Sequence, residues 1–188
     1  MPQKDILYDT YAVTLYFDSQ TNELIKGAMC DIAAATGNNY MLDNSVPPHL
    51  SLGLFHSEEE NAGEMEKLFE QFAEGLKSEG AELTLNFNGP DNFADKVIFL
   101  SVVRDEHLMK LNRDLHQLFL PHFEAGDNRN YLPENWVPHI ALAVKLRGQQ
   151  FEEGFDVAKN FPLPKSAKIT SATLARCNPY NEVMKYTI

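Results

Sequence analysis

Residues 49–55 have the sequence HLSLGLF and residues 139–146 the sequence HIALAVKL, and these two stretches decide the fold. In both, an apolar side chain follows each polar or small one, which is the period-two pattern of a half-buried β-strand. Each stretch follows a proline, Pro48 or Pro138, and each opens on a histidine. We therefore predict two strands that begin in the same way at distant points of the chain.

Outward from the first stretch, the chain alternates between the apolar spacing of strands and that of helices. The predicted order is strand, helix, strand, helix, strand. The three predicted strands are Tyr11–Phe17, His49–Phe55 and Ala81–Phe87. The first helix has its apolar face over Leu24–Ile32 and stops at Gly37. The second has its apolar face over Met65–Leu76 and follows a capping-box sequence at Ser57–Glu60. Asn88–Pro90 is predicted to be the turn that ends this half.

The second half repeats this order of elements. They are a strand at Lys96–Val103, a helix capped by Asp105 with its face over Leu108–Phe119, a long loop at Pro121–Val137, a strand at His139–Leu146, a helix over Phe151–Ala158, a strand at Lys168–Arg176, and an edge strand at Val183–Ile188. We expect an α+β fold that is bilobal and duplicated, with two antiparallel sheets flanking a central cleft and helices packed on the outside. Residues 1–188 would form a single domain of two pseudo-symmetric lobes, with motif-bearing halves at roughly 10–90 and 95–180.

The chemistry of the chain is predicted to lie at the starts of the two motif strands. Because side chains alternate along a strand, His49 and Ser51 point to the same face, and so do His139 and Ala141. If a pseudo-twofold axis relates the lobes, the two imidazoles face each other across the cleft. One neutral histidine can then take a proton from an attacking oxygen while a protonated one gives a proton to the leaving oxygen, which suits phosphoryl transfer without a metal. Ser51 can donate to a phosphate oxygen.

The segments Pro48–Leu52 and Pro138–Leu142 resemble the paired His-x-Ser/Thr-hydrophobic signature of the two-histidine (2H) phosphoesterase superfamily, the 2′-5′ RNA ligase-like and cyclic phosphodiesterase-like proteins. The resemblance implies a bilobal fold and metal-independent chemistry on 2′,3′-cyclic, 2′-5′ or related phosphodiesters. Carried over by position, it implies that His49 and His139 are catalytic and that Ser51 binds phosphate. The implied substrate is a small nucleotide or RNA-end phosphodiester, and no cofactor or metal is expected.

Ala141 departs from this signature, because it stands where the family has a hydroxyl. Loss of one hydrogen bond to a charged oxygen costs about 1.5–3 kcal/mol, which is about tenfold to a hundredfold in rate. Three side chains of the preceding loop are candidates for a replacement donor or for stacking on a base: Arg129, Tyr131 and Trp136. Thr14 and Tyr16 are candidates for lining the groove, with ordinary strand surface as the alternative.

Composition limits the partners of this chain. A formal net charge of −11 disfavours binding along duplex DNA or another long polyanion, so a phosphate substrate is expected to be small or held by a chain end. Residues 1–9 lack a secretory leader pattern, and no apolar run approaches the ~20 residues that cross a membrane, so we expect a cytoplasmic protein that contacts no membrane. Cys30 and Cys177 are expected to be free thiols. A monomer suffices, because one chain supplies both motifs.

The other histidines are interpreted as bystanders. His56, His107 and His116 are expected to be solvated or capping residues, and His122 to be a histidine at a helix C-terminus. The segment Asp127–Glu134 lacks the glycine and the ligand alternation of a calcium loop.

Three functions stay open at this point. The first is hydrolysis of a small phosphodiester or nucleoside cyclic phosphate by His49 and His139. The second keeps the groove but treats Ala141 as a mark of lost catalysis, which leaves a nucleotide or RNA-end binding protein. In the third, the groove serves other chemistry or a protein partner, and the histidines are structural.

Overall fold

The structure is a computed structural model that describes residues 9–58, 61–78, 83–177 and 180–188. The strands are β1 (Asp9–Phe17), β2 (Leu50–Ser57), β3 (Thr84–Phe93), β4 (Val97–Val102), β5 (Glu124–Ala125), β6 (His139–Ala143), β7 (Ser166–Cys177) and β8 (Asn181–Thr187). The helices are α1 (Ser19–Thr36), α2 (Tyr40–Asp43), α3 (Ala62–Ser78), α4 (Glu106–Phe119) and α5 (Gln149–Asn160). None of these helices is both long enough and apolar enough to cross a membrane.

The strands pair in the order β5-β2-β1-β7-β3-β4-β6, with β8 also paired to β7, and every pairing is antiparallel. The long strand β7 connects two groups. Its first residues, Ser166–Lys168, pair with β3, and its later residues pair with β1 and β8. The predicted α+β class with antiparallel strands is therefore confirmed. The division into two pseudo-symmetric lobes around a cleft stays a prediction.

The two halves of the sequence exchange their third strands. Strand β3, from the first half, pairs with β4, whereas β7, from the second half, pairs with β1. Each motif strand stays beside the first strand of its own half, since β2 pairs with β1 and β6 pairs with β4. Residues of β2 and β6 also approach each other within 8 Å between Cα atoms, so the two motif strands are close in space.

Burial of the apolar residues fixes which way the motif strands face. Leu50 and Leu52 of β2 are fully buried, and so is Ile140 of β6, with Leu142 at 1% exposure. Helices α1 and α5 pack together, as do α3 and α4, and with the sheet they form one apolar core. Burying one Leu or Ile side chain stabilises a fold by about 1.5–3 kcal/mol, so a register slip that turned the histidines inward would be strongly disfavoured.

Two predicted helix boundaries are confirmed by the structure. The Asp105 carboxylate accepts a hydrogen bond of 2.8 Å from the Leu108 amide and so caps α4. Gly37 ends α1 with a φ of 68°, a left-handed conformation that glycine adopts without strain.

Other boundaries differ from the sequence reading. The predicted turn at Asn88–Pro90 lies inside β3, where Gly89, with a φ of 110°, sits at a shift in register, and the chain reverses instead at Ala94 and Asp95. Ser57 does not cap a helix: it ends β2, and its hydroxyl donates to the Glu58 carbonyl. Glu59 and Glu60 of that predicted capping box, and Ala81 and Glu82 of the predicted third strand, lie outside the described residues. The short elements α2 and β5 escaped prediction because they are too short to show a period.

Candidate functional site

His49 and His139 hold their rings in the same way. Nδ1 of His49 lies 2.8 Å from the Pro47 carbonyl oxygen, and Nδ1 of His139 lies 2.7 Å from that of Val137, two residues upstream in both cases. Because a carbonyl oxygen only accepts, Nδ1 carries the hydrogen in each ring. The neutral form of each histidine therefore has its lone pair at Nε2, where it can accept a proton.

Hydroxyl groups surround His49. A cavity of about 250 Å³ is lined by this histidine together with Thr14, Ser51, Tyr131 and Tyr180, among others. Thr14 and Ser51 are cross-strand neighbours on β1 and β2. Thr14 is 3% exposed, and its hydroxyl has no hydrogen-bond partner among the described residues. The hydroxyl side chains of Ser51, Tyr131 and Tyr180 make this wall of the cavity suited to a polar ligand.

Aromatic and apolar side chains surround His139. The adjoining cavity, of about 450 Å³, is lined by His139 and Ala141 and by the apolar or aromatic residues Phe93, Val97, Tyr131, Trp136, Val137 and Val144. Asp127, Asn130 and Asn135 supply its polar groups. The imidazole of His139 makes edge contacts with Phe93, at 5.0 Å between ring centroids, and with Phe99, at 5.3 Å. This half of the site is suited to a flat, uncharged group.

Tyr131 belongs to both cavities. Its ring centroid lies 6.4 Å from that of His139, and it lines the smaller cavity together with Ser51. Burial raises the pKa of Tyr131 to about 12, with a further increase from Asp127 and a decrease from the Ser51 hydroxyl. The phenol is therefore a protonated donor at any physiological pH.

The two histidines differ in their electrostatic surroundings. Burial lowers the pKa of His49, against the effect of its hydrogen bond to Pro47, and the nearby His139 lowers that pKa further. Burial also lowers the pKa of His139, but the Val137 carbonyl and the Asp127 carboxylate act in the opposite direction. Because one imidazole affects the titration of the other, both are within electrostatic range of a single ligand.

The structure places the remaining predicted site residues as follows. Tyr16 lies beside His49, with ring centroids 6.3 Å apart, and its hydroxyl is 2.9 Å from that of Tyr180. Trp136 lines the larger cavity, but its Nε1 is buried without a partner among the described residues. Arg129 is not brought to either cavity, because it lines a separate groove with His116 and Glu134.

Sequence reasoning missed two parts of the site. Phe93 was missed because β3 was expected to end before it. Asp127 was considered only as a calcium ligand, and its φ of 48° begins three consecutive left-handed residues, Asp127–Arg129. Three such residues without a glycine carry backbone strain of order 1–3 kcal/mol each, and strain of this kind clusters at functional sites. No periodic signal marks such a turn.

His116 corrects another expectation. It is not solvated: it is 2% exposed, its Nδ1 lies 2.8 Å from the Asn112 carbonyl oxygen, and its ring lies 5.3 Å from that of Phe55. His122 is partly exposed and contacts the Glu64 carboxylate at 2.6 Å. In the described ranges, no three His, Cys, Asp or Glu side chains are grouped so that they could hold a metal ion.

Comparison with known proteins gives a family and a fold. A family model described as the 2′-5′ RNA ligase superfamily matches residues 27–179. The crystal structure of E. coli LigT complexed with 3′-AMP is similar at a TM-score of 0.61 and 15% identity, over 97% of this chain and 99% of that one. LigT complexed with NADP+ gives 0.58 and 16% over 97% and 99%, and Kluyveromyces marxianus Usb1 gives 0.51 and 10% over 95% and 98%. No curated protein matches.

Proposed function

We propose a function for this chain on the premise that it belongs to the 2′-5′ RNA ligase superfamily of 2H phosphoesterases. It cleaves a small phosphodiester, such as a nucleoside 2′,3′-cyclic phosphate or a 2′-5′-linked RNA end, with His49 and His139 as general base and general acid. The observation that carries this proposal is the matched pair of imidazoles. Both carry the hydrogen on Nδ1, they lie at the starts of two motif strands that approach within 8 Å, and His139 lowers the pKa of His49.

The electrostatics favour one division of roles. Burial opposes a proton on both rings, and the Asp127 carboxylate offsets this effect at His139. In the singly protonated pair the proton therefore resides mainly on His139, which we assign as the acid. Neutral His49 takes a proton from the attacking water, the new P–O bond forms, and His139 protonates the leaving oxygen as its bond to phosphorus breaks. The product is a phosphomonoester, and the next proton exchange with water restores both rings.

The contrast between the cavities orients the substrate. The phosphate group lies between the histidines against Ser51, whose hydroxyl can donate to its oxygens. The uncharged part of the substrate occupies the larger cavity, where Phe93 and Tyr131 supply aromatic surface for a nucleobase. Asp127 disfavours a second phosphate there. Nucleotides are bound in the LigT structures with 3′-AMP and NADP+, which supports a nucleotide as the ligand class.

Turnover of a defined substrate panel tests this proposal. The purified protein, in the presence of a chelator, is expected to hydrolyse 2′,3′-cyclic nucleotides, and His49→Ala and His139→Ala are each expected to lower kcat by about 10²–10⁴. His122→Ala is the matched control, because this histidine contacts Glu64 and lines neither cavity. Activity that survives both active-site substitutions would rule out the proposed mechanism.

Ala141 favours a second candidate function. Without a motif hydroxyl at this position, the chain could bind a nucleotide or RNA end and release it unchanged. Binding of cyclic nucleotide by the wild type at micromolar concentration, with no product after prolonged incubation, would support this alternative. The protein is expected to act as a monomer in either case, since both histidines come from one chain.

A further inference from the structure

We propose that Tyr131 supplies the phosphate hydrogen bond that Ala141 cannot make, so that Ser51 and Tyr131 form the donor pair of the site. This inference rests on the proposed function and adds a catalytic residue to it. The second donor comes from the loop between α4 and β6 rather than from the second motif strand.

The second motif strand has no donor of its own at the required place. Ala141 pairs with Phe99 on β4, and Phe93 packs on Phe99 with ring centroids 4.2 Å apart. Ser101 pairs with His139, but it lines neither cavity and its hydroxyl accepts from Asn88. The Nε1 atom of Trp136 is buried and has almost no exposed surface. The apolar wall around His139 therefore leaves the phosphate one hydrogen bond short.

Tyr131 is held where this bond is needed. Fully buried Asn112 of α4 donates from Nδ2 to the Leu52 carbonyl at 2.8 Å and to the Tyr131 carbonyl at 3.1 Å. One amide thus ties the loop backbone at Tyr131 to β2, one residue beyond Ser51. Tyr131 then lines the cavity of Ser51 and His49 and also borders the cavity of His139.

The positions of these two hydroxyls suit an anion. Ser51 and Tyr131 line the same cavity, which also contains His49. When a phosphate enters, each O–H can rotate and donate to a non-bridging oxygen, and hydrogen bonds to a charged acceptor are about twice as strong as neutral ones. Because the pKa of Tyr131 is about 12, this donor keeps its proton throughout the range in which histidine acts.

A rescue experiment tests the inference. Tyr131→Phe removes only the hydroxyl and is expected to lower kcat by about tenfold to a hundredfold. Adding Ala141→Ser restores a hydroxyl at the motif position, so the double variant is expected to recover at least part of the lost kcat. Ala141→Ser alone should change kcat much less. Tyr40→Phe is the control, because Tyr40 is 38% exposed and lines neither cavity.

The pH profile separates a donor from a structural residue. A donor that stays protonated contributes equally at every pH, so the fold loss caused by Tyr131→Phe should be the same from pH 5 to pH 8. If the variant instead shifts the profile, Tyr131 acts by changing the histidines, and the proposed donor role is overturned. Wild-type activity in Tyr131→Phe would overturn it as well.

Binding of inorganic phosphate, measured by calorimetry, tests Tyr131 independently of turnover. The wild type and Tyr40→Phe are expected to bind phosphate at least about tenfold more tightly than Tyr131→Phe. If no phosphodiester is turned over but phosphate binding still depends on Tyr131, the proposed function fails and the donor role stands. If Tyr131→Phe and the wild type bind phosphate equally well, and turnover requires His49, the proposed function stands and the donor role of Tyr131 fails.

Discussion

Replacing His139 with alanine removes the side chain that we assign as the proton donor to the leaving oxygen. The assignment follows from the surroundings of the two imidazoles, because burial opposes a proton on both rings and the Asp127 carboxylate offsets this effect at His139. If it is correct, the damage caused by His139→Ala depends on how much help the leaving group needs. A leaving group that departs as a stable anion does not need this proton.

The expected magnitudes follow from the two roles. General acid catalysis contributes about 10²–10⁴ in rate, or about 3–5 kcal/mol of transition-state stabilisation. His139→Ala should lose this amount on a deoxynucleoside 3′-phenyl phosphate, and less than about tenfold on the 3′-(4-nitrophenyl) ester of the same nucleoside. His49→Ala should lose the full factor on both esters, because the attacking water needs the base whichever group leaves.

The assay compares kcat for release of phenol and of nitrophenol by wild type, His49→Ala and His139→Ala. The two esters have nearly the same size and both lack a 2′-hydroxyl, so water is the nucleophile in each. Thermal unfolding checks that both variants are folded. The opposite pattern, with His49→Ala rescued by the nitrophenyl ester, would refute the assignment of roles. Equal losses on both esters for His139→Ala would show that His139 does not act as a general acid.

Three further expectations concern pH and stability. Burial lowers the pKa of His49, His116 and His139 below the unfolded value of 6.5, so as the pH falls the unfolded chain binds protons before the folded protein does. Denaturant titrations should therefore show the full free energy of unfolding above about pH 6.5 and a decrease below it. A bound phosphate anion raises the pKa of both active-site histidines, so the bell-shaped profile of kcat should lie at higher pH than that of kcat/KM, and coincident profiles would argue against a phosphate between the rings. Asp105→Ala removes the cap of α4 and should lower the free energy of unfolding by about 0.5–2 kcal/mol at an unchanged denaturant m-value, measured against Asp114→Ala in the same helix.

The repeated order of strands and helices could be read from the sequence because it depends on local periodicity. The alternate spacing of apolar residues predicts two strands, with Leu50 and Leu52 in one and Ile140 and Leu142 in the other. The same alternation places the histidines on the opposite face of each strand. Asp105 and Gly37 mark helix ends because each satisfies a local need of the backbone. These features involve neighbours within a few residues, so the sequence carries them directly.

The exchange of third strands could not be predicted in this way. The spacing of apolar residues indicates that β3 and β7 are strands, but it does not determine which strands they pair with. The burial of His116 was missed for a related reason, because packing against Phe55, from another element, decides it. Likewise, Gly89 signals a turn in isolation and serves as an irregularity inside β3 in the folded chain.

The sequence by itself determined the α+β class, the two motif strands and the pair of histidines, since alternation along a strand and a repeated five-residue pattern are local properties. Only the tertiary structure decided that Tyr131 shares a cavity with Ser51, that Asp127 shares one with His139 and that Arg129 lies elsewhere. These three side chains come from one irregular loop, whose path depends on left-handed residues and on its anchor at Asn112. Loop geometry of this kind is fixed by contacts between distant parts of the chain, which no periodic pattern encodes.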